Sequence, residues 1–353
     1  MKKTPELNVV VVGAGIVGAS VAYHLAYQGA QVTIVDAGQV ASGVTSRSFA
    51  WINTSYSDAD PAAPLRAAAI ADYRRLEAEL PGLRIRWTGS LSYASSQLPN
   101  TQAKSAGISS VSRARILALE PNLKHPPAQA DHAPEEGAVD AVETTRILIG
   151  AAQARGAKLL EETSVEGFTR TADQVSAVLT DQGSIDADLV VLAAGTGITA
   201  LTDSLGVPVP LTASPAIYIR YKSPPSLVNG IISNSAMEVR QGNEGGLLAA
   251  EDYLDDTPDN QPRAIALRAA EAIKEQLHGV VSLDIEDACV GFRPIARDGV
   301  PIIGYLPGIS GVYVCVMHPG VTLAATVGRL VSTEIIDGAP SHDLQPCRPD
   351  RFR

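Results

Sequence analysis

The sequence reads as an α/β protein in two parts, one of alternating strands and helices and the other rich in β-strands. Three observations carry that reading. Leu7 to Val12 is a short valine-rich apolar run, as in a central parallel strand buried on both faces. Strand–helix alternation occurs in three separated blocks, near residues 1–80, 140–205 and 291–353. Between them lie stretches with strand signals interrupted by proline and glycine. Together these predict one discontinuous domain made of 1–82, 140–210 and 291–353, with a second domain built from its insertions, 83–139 and 211–290.

The elements follow in order. After the first strand, a helix is expected from about Ile16 to Gln28, stopped by Gly29. Gln31 to Val35 is a second strand ending at Asp36, and Gly38 to Asp60, rich in Ser, Thr, Gly and Asp, reads as an ordered loop. Pro64 to Leu80 reads as a helix, with Leu65, Ala69, Tyr73, Leu76 and Leu80 on one face. Leu83 to Ala94 is strand-like, and Leu98 to Glu136 reads as irregular. Val142 to Arg155 is helical, followed by strand signals at Ala157–Leu160, Val175–Thr180 and Leu189–Leu192. Interrupted strands run from Pro208 to Ala250, then an amphipathic helix from Pro262 to Leu277 and strand signals from Val280 to Phe292. Val312 to Val316 is one more buried strand. The last helix, about Val321 to Ile336, ends at Gly338 with Pro340 beyond it.

Charge and cysteine usage exclude several functions. The net charge is −10 and no basic cluster of five or more residues exists, which disfavours nucleic acid as a partner. Cys289, Cys315 and Cys347 are far apart and form no CxxC pair, so neither a metal site nor a disulfide framework is expected, and a reducing cytoplasm suits them. Lys2 and Lys3 before an uncharged run to Tyr23 imitate a signal peptide. The run holds three glycines and passes directly into a β-α-β pattern, so it reads as buried strand and helix, with no integral membrane segment.

The chemistry begins at Gly13-Ala14-Gly15-Ile16-Val17-Gly18, a GxGxxG placed directly after a strand and opening a helix. Gly13 permits the tight turn, Gly15 lets backbone approach a pyrophosphate, and Gly18 allows close helix–strand packing. The helix start, with Ile16 and Val17, offers free N–H groups and a positive dipole end to phosphates. Asp36, followed by Ala37, stands at the end of the second strand, where a carboxylate accepts hydrogen bonds from a ribose diol. This is a Rossmann-type arrangement, and by itself it does not separate NAD from FAD. Further motifs are Ser42-Gly43-Val44-Thr45-Ser46-Arg47-Ser48 with Phe49-Ala50-Trp51-Ile52-Asn53, Asp186 through Gly197, Gly291-Phe292-Arg293-Pro294, and His318-Pro319-Gly320-Val321-Thr322-Leu323.

On these motifs the chain resembles the D-amino-acid oxidase family of flavoproteins, the group that includes glycine oxidase and sarcosine oxidase. The likeness runs from about residue 8 to 338 and is weakest in the middle. The resemblance implies a glutathione-reductase-like Rossmann FAD-binding domain and a β-sheet-rich substrate domain. It implies an amine or amino-acid substrate oxidised at a C–N bond by hydride transfer to flavin N5, with oxygen or another electron acceptor taking the electrons.

Within that picture, Ser42, Thr45, Ser46 and Ser48 run along the pyrophosphate and flavin, and Arg47 matches an arginine near the ring. Val165 falls where the family lays backbone against adenine. Ala194, Gly195 and Gly197 end a buried strand close to the dinucleotide. Pro319, Gly320, Val321 and Thr322 lead into a helix whose start aims N–H groups at flavin N1 and the C2 carbonyl, where reduced flavin is negative. His318 invites a general-base role, although hydride transfer from a neutral amine needs no protein base at carbon. Arg293 matches the arginine that pairs with a substrate carboxylate in several members, and a guanidinium can hold a carboxylate bidentately. Arg47 and Arg240 are the next candidates for that role.

The chain also departs from the family. The substrate-domain aromatic expected near Met237-Glu238-Val239-Arg240 is missing, and Glu238 and Arg240 bring charge there. Tyr218, Tyr221 and Tyr253 are candidates to replace that wall. Gly291 stands where sarcosine oxidases carry their flavin-linking cysteine, so the FAD is expected to be non-covalent, with Cys289 an ordinary buried thiol. Other readings remain: a FAD-binding subunit of a larger amino-acid or opine-type dehydrogenase, an NAD-dependent dehydrogenase, or a non-enzymatic flavin-binding subunit, with homo- or hetero-oligomers possible.

Overall fold

A computed structural model describes residues 7–54, 60–93, 107–243 and 245–353. Lys2 and Lys3, the loop residues 55–59, Ala94, and the first part of the stretch read as irregular, 98–106, lie outside the described residues.

The first core is a six-stranded sheet in the order Ile302–Tyr305, Val312–Val316, Leu189–Leu192, Asn8–Val12, Gln31–Val35 and Lys158–Leu160. All its pairings are parallel except the antiparallel edge pair Ile302–Tyr305 with Val312–Val316. Such strands are covered on both faces and must be apolar throughout, as Val9 to Val12 and Val312 to Val316 are. Helices Ile16–Tyr27, Ala141–Gln153 and Gly320–Asp337 cover one face, with Ala63–Glu79 packed on the last of them. The other face carries a three-stranded antiparallel sheet, Val165–Thr171, Gln174–Thr180 and Gly183–Asp186.

The second core lies beneath an eight-stranded sheet in the order Asp284–Ala296, Leu211–Lys222, Leu247–Asp252, Glu238–Gln241, Ile231–Asn234, Ser90–Tyr93, Gln129–Ala133 and Ser109–Ser112. Side chains alternate between its faces. Ile217, Ile219, Tyr221, Val239, Leu247 and Ala249 point one way, into a core shared with helix Pro262–Gln276. Ser214, Ala216, Tyr218, Glu238 and Arg293 therefore point the other way, towards the parallel-sheet half.

The expected elements are present with ends shifted by a few residues, and the last helix stops at Gly338 in the left-handed conformation, φ 66°. The stretch from 107 to 136, read as irregular, holds strand Ser109–Ser112, helix Arg113–Leu119 and strand Gln129–Ala133. Its strands are polar, and one of them ends a sheet, so they lack the apolar runs that mark strands in sequence. The long strand Asp284–Ala296 pairs along its whole length with Leu211–Lys222 and runs through residue 291. At Gly291 it presses on the segment Val44–Arg47; a β-carbon there would stand 3.0 Å from the Arg47 carbonyl oxygen.

One buried carboxylate ties the halves together. Glu136, 1% exposed, accepts hydrogen bonds from Trp51 Nε1 (2.9 Å), Thr54 N (2.7 Å), Thr54 Oγ1 (3.0 Å) and Ser90 Oγ (2.7 Å). A charge that deep needs such a set of donors.

Candidate active site

A cleft of about 1580 Å³ opens between the C-terminal ends of the parallel strands and the outward face of the eight-stranded sheet. Its floor is main chain. Strand Asn8–Val12 ends in Gly13, whose φ of 114° suits glycine, and a β-carbon there would lie 2.5 Å from the Ala193 carbonyl oxygen. A β-carbon on Gly18 would lie 1.9 Å from the Gly13 carbonyl oxygen, so helix and loop touch backbone to backbone. Gly15 faces the cleft. The helix it opens has no side-chain cap from its own N-terminal residue, and the Ile16 N–H is taken by Thr45 Oγ1 at 3.1 Å. Asp36 steadies the turn: its Oδ2 accepts from Ala14 N at 2.6 Å and its Oδ1 from Gly38 N at 2.8 Å, while the carboxylate still lines the cleft.

A second helix start opens on the same space. Helix Gly320–Asp337 begins after Pro319 with no side-chain cap, and Gly320, Val321 and Thr322 line the cleft. The Thr322 hydroxyl donates to the Trp51 carbonyl (3.0 Å) and receives Asn53 N (3.3 Å), and the Tyr73 hydroxyl donates to the Val321 carbonyl, so this start is fixed from two sides. Two helix starts facing one cleft, one of them capped only at Ile16 by Thr45, are a cradle for negative charge.

Ala37, Ser42, Ser48, Val165, Ala194, Gly195 and Gly197 also line the cleft, with Ile16, Val17 and Thr45. Gly18 and Ser46 do not. Gly18 is spent on packing, and the Ser46 hydroxyl turns back to the Gly43 carbonyl at 3.0 Å. Arg47 lines the cleft and donates from Nη1 to the Val290 carbonyl at 3.2 Å, with no ion-pair partner among the described residues.

The opposite wall is made of side chains. Arg293 Nη2 donates to Ser214 Oγ (3.0 Å) and the Pro215 carbonyl (3.3 Å); its Nε is buried without a partner among the described residues, and no carboxylate there pairs with it. The His318 ring is open to the cleft but enclosed by its walls. That burial, with the Arg293 and Arg66 guanidiniums nearby, lowers its pKa to about 4, so it is neutral at physiological pH. Arg66 is itself paired with Asp60, 3.2 Å away.

Arg240 does not share this wall. It is 4% exposed, and its guanidinium donates to the carbonyls of Phe49 (2.6 Å), Val139 (3.0 Å) and Gln241 (3.4 Å), so it is occupied by main chain. Of the three tyrosines considered as a wall, only Tyr218 lines the cleft. Tyr221 is on the buried face, donating to the Ala266 carbonyl at 2.6 Å, and Tyr253 bonds Asp256. Cys289 is half-buried rather than buried, lies off the cleft, and has its thiol pKa raised by burial and by Asp287. Trp51 and Phe292, quoted in sequence only as members of motifs and given no role, also line the cleft, as do Ser90 and Ser233, which sequence reasoning missed.

The described residues fit FAD on structural grounds: a glycine floor open to backbone approach, two helix starts facing the cleft, and a strand-end carboxylate. The family model for FAD dependent oxidoreductases (DAO) matches residues 8–333. Glycine oxidase of Pseudomonas aeruginosa is 26% identical over 364 positions, covering 97% of this chain and 98% of that protein. An opine oxidase subunit of Rhizobium meliloti is 24% identical, covering 98% of each. Among solved structures, L-proline dehydrogenase from P. horikoshii superposes with a TM-score of 0.86 at 21% identity over 98% of both chains, a likeness of fold. With the model spanning nearly the whole sequence, the chain belongs to the DAO family of FAD-dependent oxidoreductases.

Proposed function

We propose that the chain oxidises the C–N bond of an amine or amino acid, with FAD held non-covalently by the segments 1–82, 140–210 and 291–353. The observation that carries the substrate assignment is Arg293, a cleft-facing guanidinium with a buried, unpartnered Nε and no carboxylate of its own. A ligand carboxylate would pair with the guanidinium through Nη1, which has no partner among the described residues. Ser214 and the Pro215 carbonyl would hold the guanidinium flat while the carboxylate takes the remaining donors.

The chain's other residues divide the remaining work. Gly13, Gly15 and the helix start at Ile16 would receive the pyrophosphate, and Asp36 the ribose. The uncapped start at Gly320 would place positive potential where the reduced ring is negative. FAD itself supplies a two-electron acceptor. The substrate nitrogen must be neutral when the hydride leaves, and the depressed pKa of His318 leaves that ring unprotonated, so it adds no positive charge beside the nitrogen. Cys289, off the cleft, fits non-covalent attachment. That the relatives' names include oxidases and dehydrogenases leaves both oxygen and a partner protein open as final acceptor.

The test is anaerobic bleaching of the purified protein by a panel of amino acids and their decarboxylated amine analogues, in wild type and Arg293→Ala. Acid precipitation should leave the yellow colour in the supernatant. The variant should keep its FAD and lose roughly ten- to hundredfold in apparent affinity for the amino acids, with the amines unaffected. Equal losses on both classes would sink the carboxylate role.

A further inference from the structure

The wall facing the floor carries a second charged side chain. Glu238 stands on strand Glu238–Gln241, on the same face as Tyr218 and Ala250, and all three line the cleft. Ser233, from the neighbouring strand, donates its hydroxyl to Glu238 Oε2 at 3.1 Å. Oε1 has no hydrogen-bond partner among the described residues, and no basic side chain there pairs with the carboxylate. Arg293 acts on it only at a distance, too weakly to offset burial and Asp252, which raise its pKa.

We propose that Glu238 is a specificity-determining residue that receives a cationic nitrogen of the substrate, while Arg293 holds its carboxylate. This deepens the reading of the Arg293 site and rests on it. The argument is one of complementarity. Among the cleft's other charged groups, the Arg66–Asp60 pair satisfies itself, Arg47 donates to a main-chain carbonyl, Asp36 accepts from Ala14 N and Gly38 N, and Asp131 has interactions of its own. Arg293 and Glu238 both line the cavity with hydrogen-bonding capacity left over among the described residues, the cationic Nη1 of Arg293 and the anionic Oε1 of Glu238. A half-buried carboxylate with a free oxygen is costly unless something occupies it, and an apolar side chain would be the cheaper wall. A ligand with a carboxylate and an ammonium separated along its length would satisfy both, and each wrong ligand would leave one charge unpaired. The nitrogen can be a second one on the side chain, or the one that is oxidised, which would bind as the ammonium and must lose a proton before hydride transfer.

Three ligands on one carbon skeleton separate these cases: butyrate, 2-aminobutyrate and 4-aminobutyrate. Binding to the FAD-loaded protein is read as perturbation of the flavin spectrum or, for a ligand that reduces it, as half-saturation of anaerobic bleaching. The expected result is that at least one amino ligand binds about tenfold or more tighter than butyrate. Glu238→Gln, which keeps the size and the Ser233 contact, should erase that preference and leave butyrate binding unchanged. A preference for 2-aminobutyrate assigns Glu238 to the reacting nitrogen, and one for 4-aminobutyrate to a second nitrogen. No preference in wild type, or a preference that survives both Glu238→Gln and Glu238→Met, overturns the assignment. In that event, butyrate binding that is still weakened by Arg293→Ala leaves the carboxylate site standing. If none of the three ligands binds, both readings fall together.

Discussion

The floor and the wall of the cleft are built on different principles. The floor, from Gly13 to Gly18 and again from Pro319 to Thr322, presents main chain: glycine turns, helix starts and N–H groups. The wall, on the eight-stranded sheet, presents side chains from three strands, Arg293, Tyr218 and Glu238, with Ser214 bonded to Arg293. A backbone cradle depends on the absence of side chains, so it tolerates almost no change at its glycines. A side-chain wall can be rewritten one residue at a time without disturbing the fold. This predicts that floor substitutions abolish cofactor binding, whereas wall substitutions change the choice of substrate and leave the colour intact.

The largest effect should come from Gly15→Val. The branched side chain would crowd Thr45 Oγ1, already 3.2 Å from an ideal β-carbon, and fill the space a pyrophosphate needs. The variant should purify colourless and gain no thermal stability from added FAD. Full FAD occupancy would show that the cradle is not where the pyrophosphate sits.

Glu136 joins floor to wall and comes next. Glu136→Ala strips four donors of their acceptor, two of them on Thr54 and the others on Trp51 and Ser90. The cost should be on the order of 3–5 kcal/mol, seen as a fall of several degrees in the thermal midpoint of the FAD-loaded protein. An unchanged midpoint would mean that the halves are not held through this carboxylate.

Arg293→Lys sharpens the picture of the wall. Lysine supplies charge without the planar fork, so it should recover only part of the affinity lost in Arg293→Ala, leaving amino acids roughly three- to tenfold weaker than wild type. Complete recovery would indicate a role in long-range attraction rather than a bidentate clamp.

The smallest effect should be that of His318→Asn. Burial, with Arg293 and Arg66 nearby, holds the imidazole to about 4, so its charged form is absent near neutrality and appears only as the pH falls towards that value. The rate of flavin reduction at neutral pH should stay within about threefold of wild type. An ionisation near neutrality that is present in wild type and missing in the variant would restore His318 as a base. A separate histidine makes the stability of the fold depend on pH. His24, 4% exposed, lies within hydrogen-bond distance of the Ser20 carbonyl and of Arg75, and burial lowers its pKa from 6.5 to about 4. The unfolded chain binds a proton that the folded one refuses. His24 therefore contributes stability above pH 6.5, on the order of 3 kcal/mol, that is lost as pH falls towards 4.

Sequence alone determined the floor. Each of its features is local: a strand, three glycines at fixed spacing, a helix, and a carboxylate at the end of the next strand lie within about thirty residues, and their spacing dictates their geometry. The same holds for the turn and helix after His318. Tertiary structure alone decided the wall. Arg293, Ser214 and Glu238 come together because strands far apart in the chain pair in one register, and a shift of one residue would send every one of these side chains into the core. It also separated residues that looked alike in sequence: Tyr218 lines the cleft and Tyr221 is buried, while Arg293 keeps a free guanidinium edge and Arg240 is consumed by main-chain carbonyls. Local geometry is written in spacing, but which of two neighbouring charges or rings meets the ligand depends on strand parity and burial, and those are set by contacts between distant segments.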